Sequence, residues 1–403
     1  MFIPRDITSQ LMQEDAFIQV MLGPRQCGKS TLLASLATSS PRQELTFDDL
    51  ALRQLANQDP ALFLAQFPPP LLLDEVQYAP NLFPEIKKQV DHLKRQALHA
   101  TTPSRPIPLF QLTGSNQILM DKNVKESLAG RASYYYLNTL SVHEILQALP
   151  NTPLKDILFQ GGWPALYSEQ IKSVPTFLNN YIRSYVEKDI VLSAGIQKIQ
   201  AFHTVLGLLA ARTGQLLDYS EIAKASGVRS VTIKEWVGLL ERADLLIKLP
   251  PFHSNLNKRL TKTAKYYFLD TGLATRLQGW SEPTPLLNSP QAGHLFETLV
   301  LAEIVKFIRN KGKDWRLYLW RTKEGEEIDF LLETTENHFY AFEAKLSIQG
   351  TPIQTTLPPS FKKYFKLTHP LCLITFGGQS LQHTPCHTSM PLSALFNFLQ
   401  QIT

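Results

Sequence analysis

The nine residues from Gly23 to Thr31, GPRQCGKST, constrain the fold more than any other stretch of this sequence. They match the pattern GxxxxGK[ST], in which glycines let the backbone curl so that successive N–H groups point at phosphate oxygens. The apolar run 16–23 precedes the motif and a helical pattern follows it, which is the context that the motif requires. The stretch therefore predicts a phosphate-binding loop between a strand and a helix.

Each residue type in this loop has an expected part in nucleotide binding. Lys29 is expected to reach the β- and γ-phosphates, and Ser30 to hold magnesium. The contacts to the nucleotide are predicted to come from the whole loop, namely Gly23, Pro24, Arg25, Gln26, Cys27, Gly28, Lys29, Ser30 and Thr31. We therefore expect ATP and Mg²⁺ as cofactors.

Two acids end the apolar run PPPLLLDEVQ at 68–77. A parallel sheet binds ligands at the carboxyl ends of its strands, so these acids are expected beside the phosphate loop. Asp74 would support the magnesium, and Glu75 would polarise the water that attacks the terminal phosphate. The alternative is a strand that simply turns into solvent at these two residues.

Two further groups leave their role open. The next apolar run ends in three small polar residues, Thr113, Ser115 and Asn116. One of them would sense the γ-phosphate, and Asn116 is the candidate. The alternative is that the segment is a plain turn. Arg131 in SLAGR is either an arginine finger that acts on a neighbouring subunit or one half of a surface salt bridge. A homo-oligomer would follow from the first interpretation of Arg131.

The segment 218–246 predicts a helix-turn-helix. SEIAKAS forms a short helix, Gly227 a left-handed turn, and Ser230 the cap of a second helix. Four apolar residues of that helix repeat at helical spacing and predict a buried stripe, namely Ile233, Trp236, Val237 and Leu240. The strand-like runs that follow can pair as a wing, so the pattern favours a winged helix. Outward-facing side chains are the candidates for DNA contact, namely Arg229, Ser230 and Lys234.

A carboxylate cluster is predicted near the C-terminus. In the long helical run 293–310, Glu297 lies on the apolar face, whereas Glu303, Lys306 and Asn310 share another side. A buried carboxylate is costly unless it is paired or binds a cation. The strand-like runs that follow add three more candidates that can converge with it, namely Asp329, Glu343 and Lys345. The cluster is either a magnesium-dependent phosphodiesterase centre, with Asp329 and Glu343 on the metal, or a structural ion-pair network.

The totals exclude some classes of protein. The chain has 403 residues, of which 44% are hydrophobic, and no apolar run is long enough to span a bilayer. Three cysteines without metal-ligand spacing favour a reduced, cytoplasmic protein with no membrane partner. A formal net charge of +5 permits nucleic-acid binding without requiring it.

Taken in order, these motifs resemble a known family across nearly the whole chain. GPRQCGKSTL, LLLDEVQ, LTGSN, SLAGR, GGWP, the predicted winged helix and GHLFETLVLAEI…EIDF…FEAKLS are similar to bacterial and archaeal AAA-type ATP-binding proteins with a C-terminal domain of unknown function. In that family the C-terminal domain is similar to the PD-(D/E)xK nuclease fold. The resemblance implies that Asp329, Glu343 and Lys345 match the nuclease motif and that Glu297 matches its helical acid. Ile328 stands where the motif has proline.

The resulting expectation is an α/β chain in four parts. These are a P-loop AAA-like ATPase core with a parallel sheet at 1–147, a helical linker at 148–215, a winged helix at 216–280 and a nuclease-like domain at 281–403. The predicted function is an ATPase that controls a nucleic-acid-binding or nuclease-like module. Two alternatives stay open: a nucleotide-gated protein-interaction switch with an inactive nuclease fold, and a non-enzymatic DNA-binding regulator. DNA and a protein client are accordingly both candidate partners.

Overall fold

The computed structural model describes residues 1–13, 16–37, 42–98, 108–114, 128–168, 171–191, 195–253, 263–335, 338–346, 357–365, 370–378, 382–383 and 387–402. The chain divides into two compact units. We call Arg5–Thr139 the small unit, and Met1–Pro4 together with Leu140–Thr403 the large unit.

The small unit is built on a five-stranded sheet in which all paired strands are parallel. Its strand order is β2-β3-β4-β1-β5. The strands are β1 Ile18–Leu22, β2 Gln43–Thr46, β3 Leu71–Asp74, β4 Phe110–Gly114 and β5 Ala132–Tyr136. The helices are α1 Thr8–Gln13, α2 Lys29–Ala37, α3 Leu50–Gln58, α4 Pro60–Gln66 and α5 Leu82–Leu98, with a 3₁₀ turn at Val76–Tyr78.

Burial on both faces of this sheet explains why its central strands are continuous apolar runs. In β1, Val20 packs into one hydrophobic cluster, whereas Met21 packs into a second cluster with Leu32 of α2. Alternating side chains of a strand point to opposite faces, so both faces must be covered by other elements. The carboxyl ends of β1, β3 and β4 consequently lie at one edge of the sheet, where the glycine loop and the two acids also lie.

The large unit begins with helices and a three-stranded antiparallel sheet. The sheet has the order β6-β8-β7, with β6 Gln215–Leu216, β7 Leu246–Leu249 and β8 Lys265–Phe268. The helices are α6 Val142–Ala148, α7 Leu154–Gln160, α8 Ala165–Ser168, α9 Val174–Tyr181, α10 Ile199–Ala211, α11 Tyr219–Ser226, α12 Ser230–Arg242, α13 Thr271–Leu277 and α14 Pro283–Leu287. A π-helical stretch, Ile182–Ile190, follows α9.

The two helices of the predicted helix-turn-helix are α11 and α12, with Gly227 between them in a left-handed conformation. The predicted stripe is buried, namely Ile233, Trp236, Val237 and Leu240. The prediction that Ser230 caps the second helix is wrong. Ser230 is already helical, and Arg229 precedes it without a side-chain cap hydrogen bond.

The C-terminal part of the large unit is a six-stranded mixed sheet with the order β13-β14-β12-β11-β10-β9. Its strands are β9 Arg316–Arg321, β10 Glu327–Thr335, β11 His338–Lys345, β12 Leu371–Thr375, β13 Gln382–His383 and β14 His387–Pro391. Three helices accompany it, α15 Ala292–Asn310, α16 Pro359–Tyr364 and α17 Leu395–Gln401, together with a 3₁₀ turn at Leu392–Ala394. Both β9 and β11 pair with β10 in antiparallel fashion, so β10 and β11 form the predicted hairpin.

The helix α15 is buried around almost its whole circumference. Its buried residues include Glu297 and also Glu303, Lys306 and Asn310, which the helical periodicity assigned to a different side. Such burial means that each charged residue of this helix needs a partner within the protein. No helix in the described part of the chain is long and apolar enough to cross a membrane.

Candidate functional site

The glycine loop forms a preshaped cradle between β1 and α2. Three of its residues have positive φ angles, Gly23 at 143°, Gln26 at 61° and Gly28 at 95°. These conformations curl the backbone around the N-terminus of α2, where unpaired N–H groups and the helix dipole favour an anion. Lys29 is the first residue of α2.

The lysine of the loop is held against its own backbone. Lys29 is 6% exposed, and its Nζ donates to the carbonyl oxygens of Gly23 at 3.0 Å and Pro24 at 2.9 Å. An ammonium group has three donors and no acceptor, so it can exchange these carbonyls for phosphate oxygens. The contacts therefore keep the cation at the cradle before any ligand arrives.

The underside of the loop rests on the chain that leaves β5. The Cys27 thiol is fully buried and donates to the Leu137 carbonyl oxygen at 3.3 Å. Arg5 donates to the carbonyl oxygens of Cys27 at 2.8 Å and Asn138 at 2.7 Å. A Cβ on Gly23 would clash with the Leu137 carbonyl oxygen, so this position requires glycine. Arg5 is a supporting residue that the sequence analysis missed, because nothing in its local sequence connects it to a loop that starts 18 residues later.

Three donors converge on one oxygen of Asp74. Its Oδ1 accepts from the Ser30 hydroxyl at 2.9 Å, from the Glu75 backbone N–H at 3.1 Å and from the Thr113 hydroxyl. A hydroxyl and a carboxylate side by side at a phosphate cradle are hard oxygen ligands, which Mg²⁺ prefers. The residues that the sequence predicted for magnesium, Ser30 and Asp74, are thus brought together and fit the metal.

The predicted water-activating residue has an unusual backbone. Glu75 has φ 55° and ψ 42°, which is the left-handed region and is uncommon for residues other than glycine. Its Oε2 accepts from the Gln77 amide, and Gln77 is buried. A strained conformation of this kind at the edge of a binding cleft is typical of functional sites. The sequence analysis did not identify Gln77 as a partner.

The other predicted site residues of the small unit differ in their exposure and in their hydrogen-bond partners. Arg25 donates to the Tyr78 hydroxyl at 3.4 Å, whereas Gln26 and Thr31 are exposed. Ser115 and Asn116 lie outside the described residues. Arg131 is paired within its own chain, because its Nε and Nη2 donate to the two carboxylate oxygens of Asp91 at 2.6 and 2.9 Å. The arginine finger, and the homo-oligomer that depends on it, stay predictions.

The candidate nucleic-acid contacts lie on the surface of the large unit. Arg229 and Lys234 are exposed, whereas Ser230 is half-buried. Val231 is also exposed, at 69%, and Glu235 adds an opposing charge to the same surface. Residues 254–262, which follow β7 and precede β8 in the sequence, lie outside the described residues.

The predicted carboxylates do come together in the large unit. The Asp329 carboxylate accepts from the Ala344 backbone N–H at 2.9 Å across the β10–β11 hairpin. Lys345 lies 2.8 Å from Glu343. Burial raises the pKa of Asp329 to about 6, and the Glu297 charge acts in the same direction. Burial and the nearby Asp329 also raise the pKa of Glu343.

Two residues of β8, which the sequence analysis missed, complete this cluster. Lys265 lies 2.9 Å from Glu297 Oε1 and 2.6 Å from Glu327 Oε1. The Tyr267 hydroxyl donates to the same Glu297 oxygen at 2.6 Å. Burial alone would lower the pKa of Lys265, but the attraction of Glu297 and Glu327 outweighs it and raises this pKa. We call these seven residues the carboxylate cluster, namely Lys265, Tyr267, Glu297, Glu327, Asp329, Glu343 and Lys345.

Two acids of the carboxylate cluster, Glu297 and Glu327, are bridged by Lys265 and so present no open site for a divalent metal between them. Among the described residues, no group of three or more His, Cys, Asp and Glu side chains is arranged to hold a metal ion. Glu297 and Glu327 share the single positive charge of Lys265, and Arg321 lies 3.4 Å from the other oxygen of Glu327. The metal that the sequence analysis assigned to Asp329 and Glu343 gains no support from this geometry and stays a prediction.

Family comparisons divide the chain in three. Residues 15–146 match an AAA domain, and residues 151–284 and 292–395 each match a domain of unknown function, DUF8612 and DUF4143 respectively. The small unit is therefore an AAA-type P-loop ATPase domain, and the prediction of a parallel-sheet ATPase core is confirmed.

Similar proteins span most of the chain. An uncharacterized protein of Mycobacterium tuberculosis is 28% identical over 347 residues, which cover 85% of this chain and 73% of the relative. An uncharacterized protein of Haemophilus influenzae is 24% identical, and the match covers 88% of this chain and 90% of that relative. Among solved structures, the Walker-type ATPase of Pyrococcus abyssi matches with a TM-score of 0.41 at 14% identity and covers 69% of this chain and 96% of its own.

Proposed function

We propose that the small unit hydrolyses ATP with magnesium and that its nucleotide state controls the large unit as a nucleic-acid-binding module. The observation that carries the proposal is the convergence of Ser30 and Thr113 on Asp74, beside the Lys29 cradle. A cation on the loop, a magnesium-type ligand pair and a strained acid meet at the edge of one sheet. These are the groups that phosphoryl transfer from ATP requires.

Each residue of the small unit has a distinct part in the proposed reaction. Lys29 exchanges its two carbonyl contacts for oxygens of the β- and γ-phosphates. Ser30 and Asp74 would hold magnesium, which would neutralise charge on the phosphates. Glu75 accepts a proton from the water that attacks the γ-phosphorus, while the bond from that phosphorus to the bridging oxygen of ADP breaks. Gln77 positions the Glu75 carboxylate through its amide hydrogen bond.

The large unit supplies a surface that suits nucleic acid. The elements run α10, β6, α11, α12, β7 and β8, with the sheet order β6-β8-β7, which supports a winged-helix fold for this part of the chain. In such a fold the second helix of the helix-turn-helix is the one that meets DNA. Arg229 and Lys234 lie at the exposed start of that helix, α12, and would contact phosphates.

A second candidate function is a nucleotide-gated protein-interaction switch with an inactive nuclease fold. The observation that favours it is the pairing of Lys265 with Glu297 and Glu327, which occupies the helical acid of the carboxylate cluster with an ammonium group. In this reading the helix-turn-helix holds domains or protein partners instead of DNA.

The test compares DNA binding in defined nucleotide states. A nucleotide can shift the large unit only through different affinities for its two states. Anisotropy of labelled duplex and single-stranded DNA is measured with ATP and with ADP, for the wild type, Glu75→Gln and Lys29→Ala. We expect the ATP and ADP affinities to differ for the wild type and Glu75→Gln, but not for Lys29→Ala. If the wild type binds DNA equally well with ATP and with ADP, nucleotide control of the large unit is refuted. If it does not bind DNA at all, the protein-interaction switch is favoured.

A further inference from the structure

We infer that this chain fills the space between Glu297 and Glu327 with its own lysine, so that Lys265 holds the place of a divalent cation and excludes a metal shared by these two acids. The resemblance to nucleases makes Glu297 the helical acid of a metal centre at Asp329 and Glu343, and in the structure Glu297 is paired with Lys265. The inference concerns the large unit alone and does not depend on ATP hydrolysis.

The Lys265 ammonium group lies between two acids. Its Nζ lies between carboxylates of two separate elements, Glu297 of α15 and Glu327 of β10, at 2.9 and 2.6 Å. The side chain of Lys265 is only 7% exposed. A compact ammonium that bridges a buried and a half-buried carboxylate occupies the centre at which a metal shared by those carboxylates would lie.

The Oε1 atom of Glu297 has no free acceptor position left for a metal ion. Glu297 Oε1 accepts from both the Lys265 ammonium and the Tyr267 hydroxyl, at 2.9 and 2.6 Å. Lys265 and Tyr267 are two residues apart on β8 and so present the same face of the strand. Strand β8 therefore supplies both hydrogen-bond donors to Glu297 Oε1.

The other lysine of the carboxylate cluster, Lys345, is much more exposed than Lys265. Lys345 is 42% exposed and pairs with Glu343 at 2.8 Å, so it remains partly hydrated. Arg321, 3.4 Å from Glu327 Oε2, is likewise 42% exposed. Among these three cations, Lys265 is the buried one, and its removal takes away the ion-pair partner that Glu297 and Glu327 share.

The test removes the lysine and asks whether a metal replaces it. Mn²⁺ binding is measured by calorimetry on nucleotide-free full-length protein, together with the melting temperature in EDTA and in Mn²⁺. We expect Lys265→Ala to gain one Mn²⁺ site, about tenfold or more tighter than any cluster binding in the wild type. We also expect its melting temperature to fall in EDTA and to recover in Mn²⁺, because a ligand that binds only the folded state stabilises it.

Three further variants make the result specific. Lys248→Ala removes an exposed lysine from the neighbouring strand β7 and should leave Mn²⁺ binding unchanged. Adding Glu297→Gln and Glu327→Gln to Lys265→Ala should abolish the gained site. Lys265→Gln offers a carbonyl oxygen to the metal and serves if Lys265→Ala does not fold. Folded Lys265 variants that gain no Mn²⁺ site overturn the inference, as does a wild-type cluster that already binds Mn²⁺ as tightly.

Discussion

Replacement of Lys306 by methionine tests how the large unit supports charges inside α15. Lys306 is 3% exposed, and its Nζ donates to the Leu140 carbonyl oxygen at 2.8 Å and to Glu303 at 3.2 Å. The other oxygen of Glu303 accepts from the Val142 backbone N–H at 2.8 Å. Without the lysine, Glu303 stays buried with its charge uncompensated, and such a loss typically costs about 3–5 kcal/mol. For a unit of this size the melting temperature should fall by on the order of 10 °C.

The cost should depend on pH with a definite sign. Burial, opposed by Lys306, raises the pKa of Glu303, and the nearby Glu144 charge adds to the rise. A carboxyl group whose pKa is higher in the folded state contributes stability below its unfolded pKa and loses it as the pH rises through the folded pKa. Lys306→Met raises that folded pKa further. Its destabilisation should therefore be larger at pH 8 than at pH 5.

The assay can be confined to the large unit. All five tryptophans of the chain, namely Trp163, Trp236, Trp280, Trp315 and Trp320, lie within Leu140–Thr403, so tryptophan fluorescence reports that unit. The matched control is Glu303→Gln with Lys306→Met, which removes both charges and should recover most of the loss at either pH. A single variant that costs less than about 1 kcal/mol, or that costs the same at both pH values, would refute the reasoning.

Three further predictions concern the cradle and the exposed face of α12. Gly23→Ala should abolish binding of a fluorescent ATP analogue, because its Cβ would clash with the Leu137 carbonyl oxygen in a backbone conformation that favours glycine; retained affinity contradicts this. Arg5→Ala should weaken the same binding by about tenfold, because it removes two charge-assisted hydrogen bonds that shape the loop. Lys234→Ala should reduce the salt dependence of DNA binding by about one unit of log–log slope, and an unchanged slope excludes a phosphate contact at this residue.

The parts of the site that the sequence predicted are those that local pattern determines. The GxxxxGK[ST] spacing requires a curled loop before a helix, and the strand that ends at Asp74 brings this acid and the following Glu75 to the same sheet edge. The buried stripe of α12 follows from helical periodicity in the same way. In each case the residues that must cooperate lie within one element or at the ends of parallel neighbours.

The supporting residues escaped prediction because tertiary packing brings them in from elsewhere. Arg5 lies 22 residues from Cys27. Lys265 lies 32 residues from Glu297 and belongs to strand β8, whereas Glu297 belongs to helix α15. Periodicity marked one face of α15 as apolar, but the helix is covered on nearly every side, so Glu303 and Lys306 are buried as well. Ser230 matches a capping residue in type, yet the helix already includes it.

The most direct test of the central claim is ATP turnover by Glu75→Gln, measured beside its ATP affinity. The account predicts that the variant binds ATP with magnesium about as tightly as the wild type but loses steady-state hydrolysis, because Lys29, Ser30 and Asp74 remain while the proton acceptor is gone. Wild-type turnover in a variant that binds ATP normally would contradict the role of Glu75. A wild-type protein that binds no ATP would contradict the account as a whole.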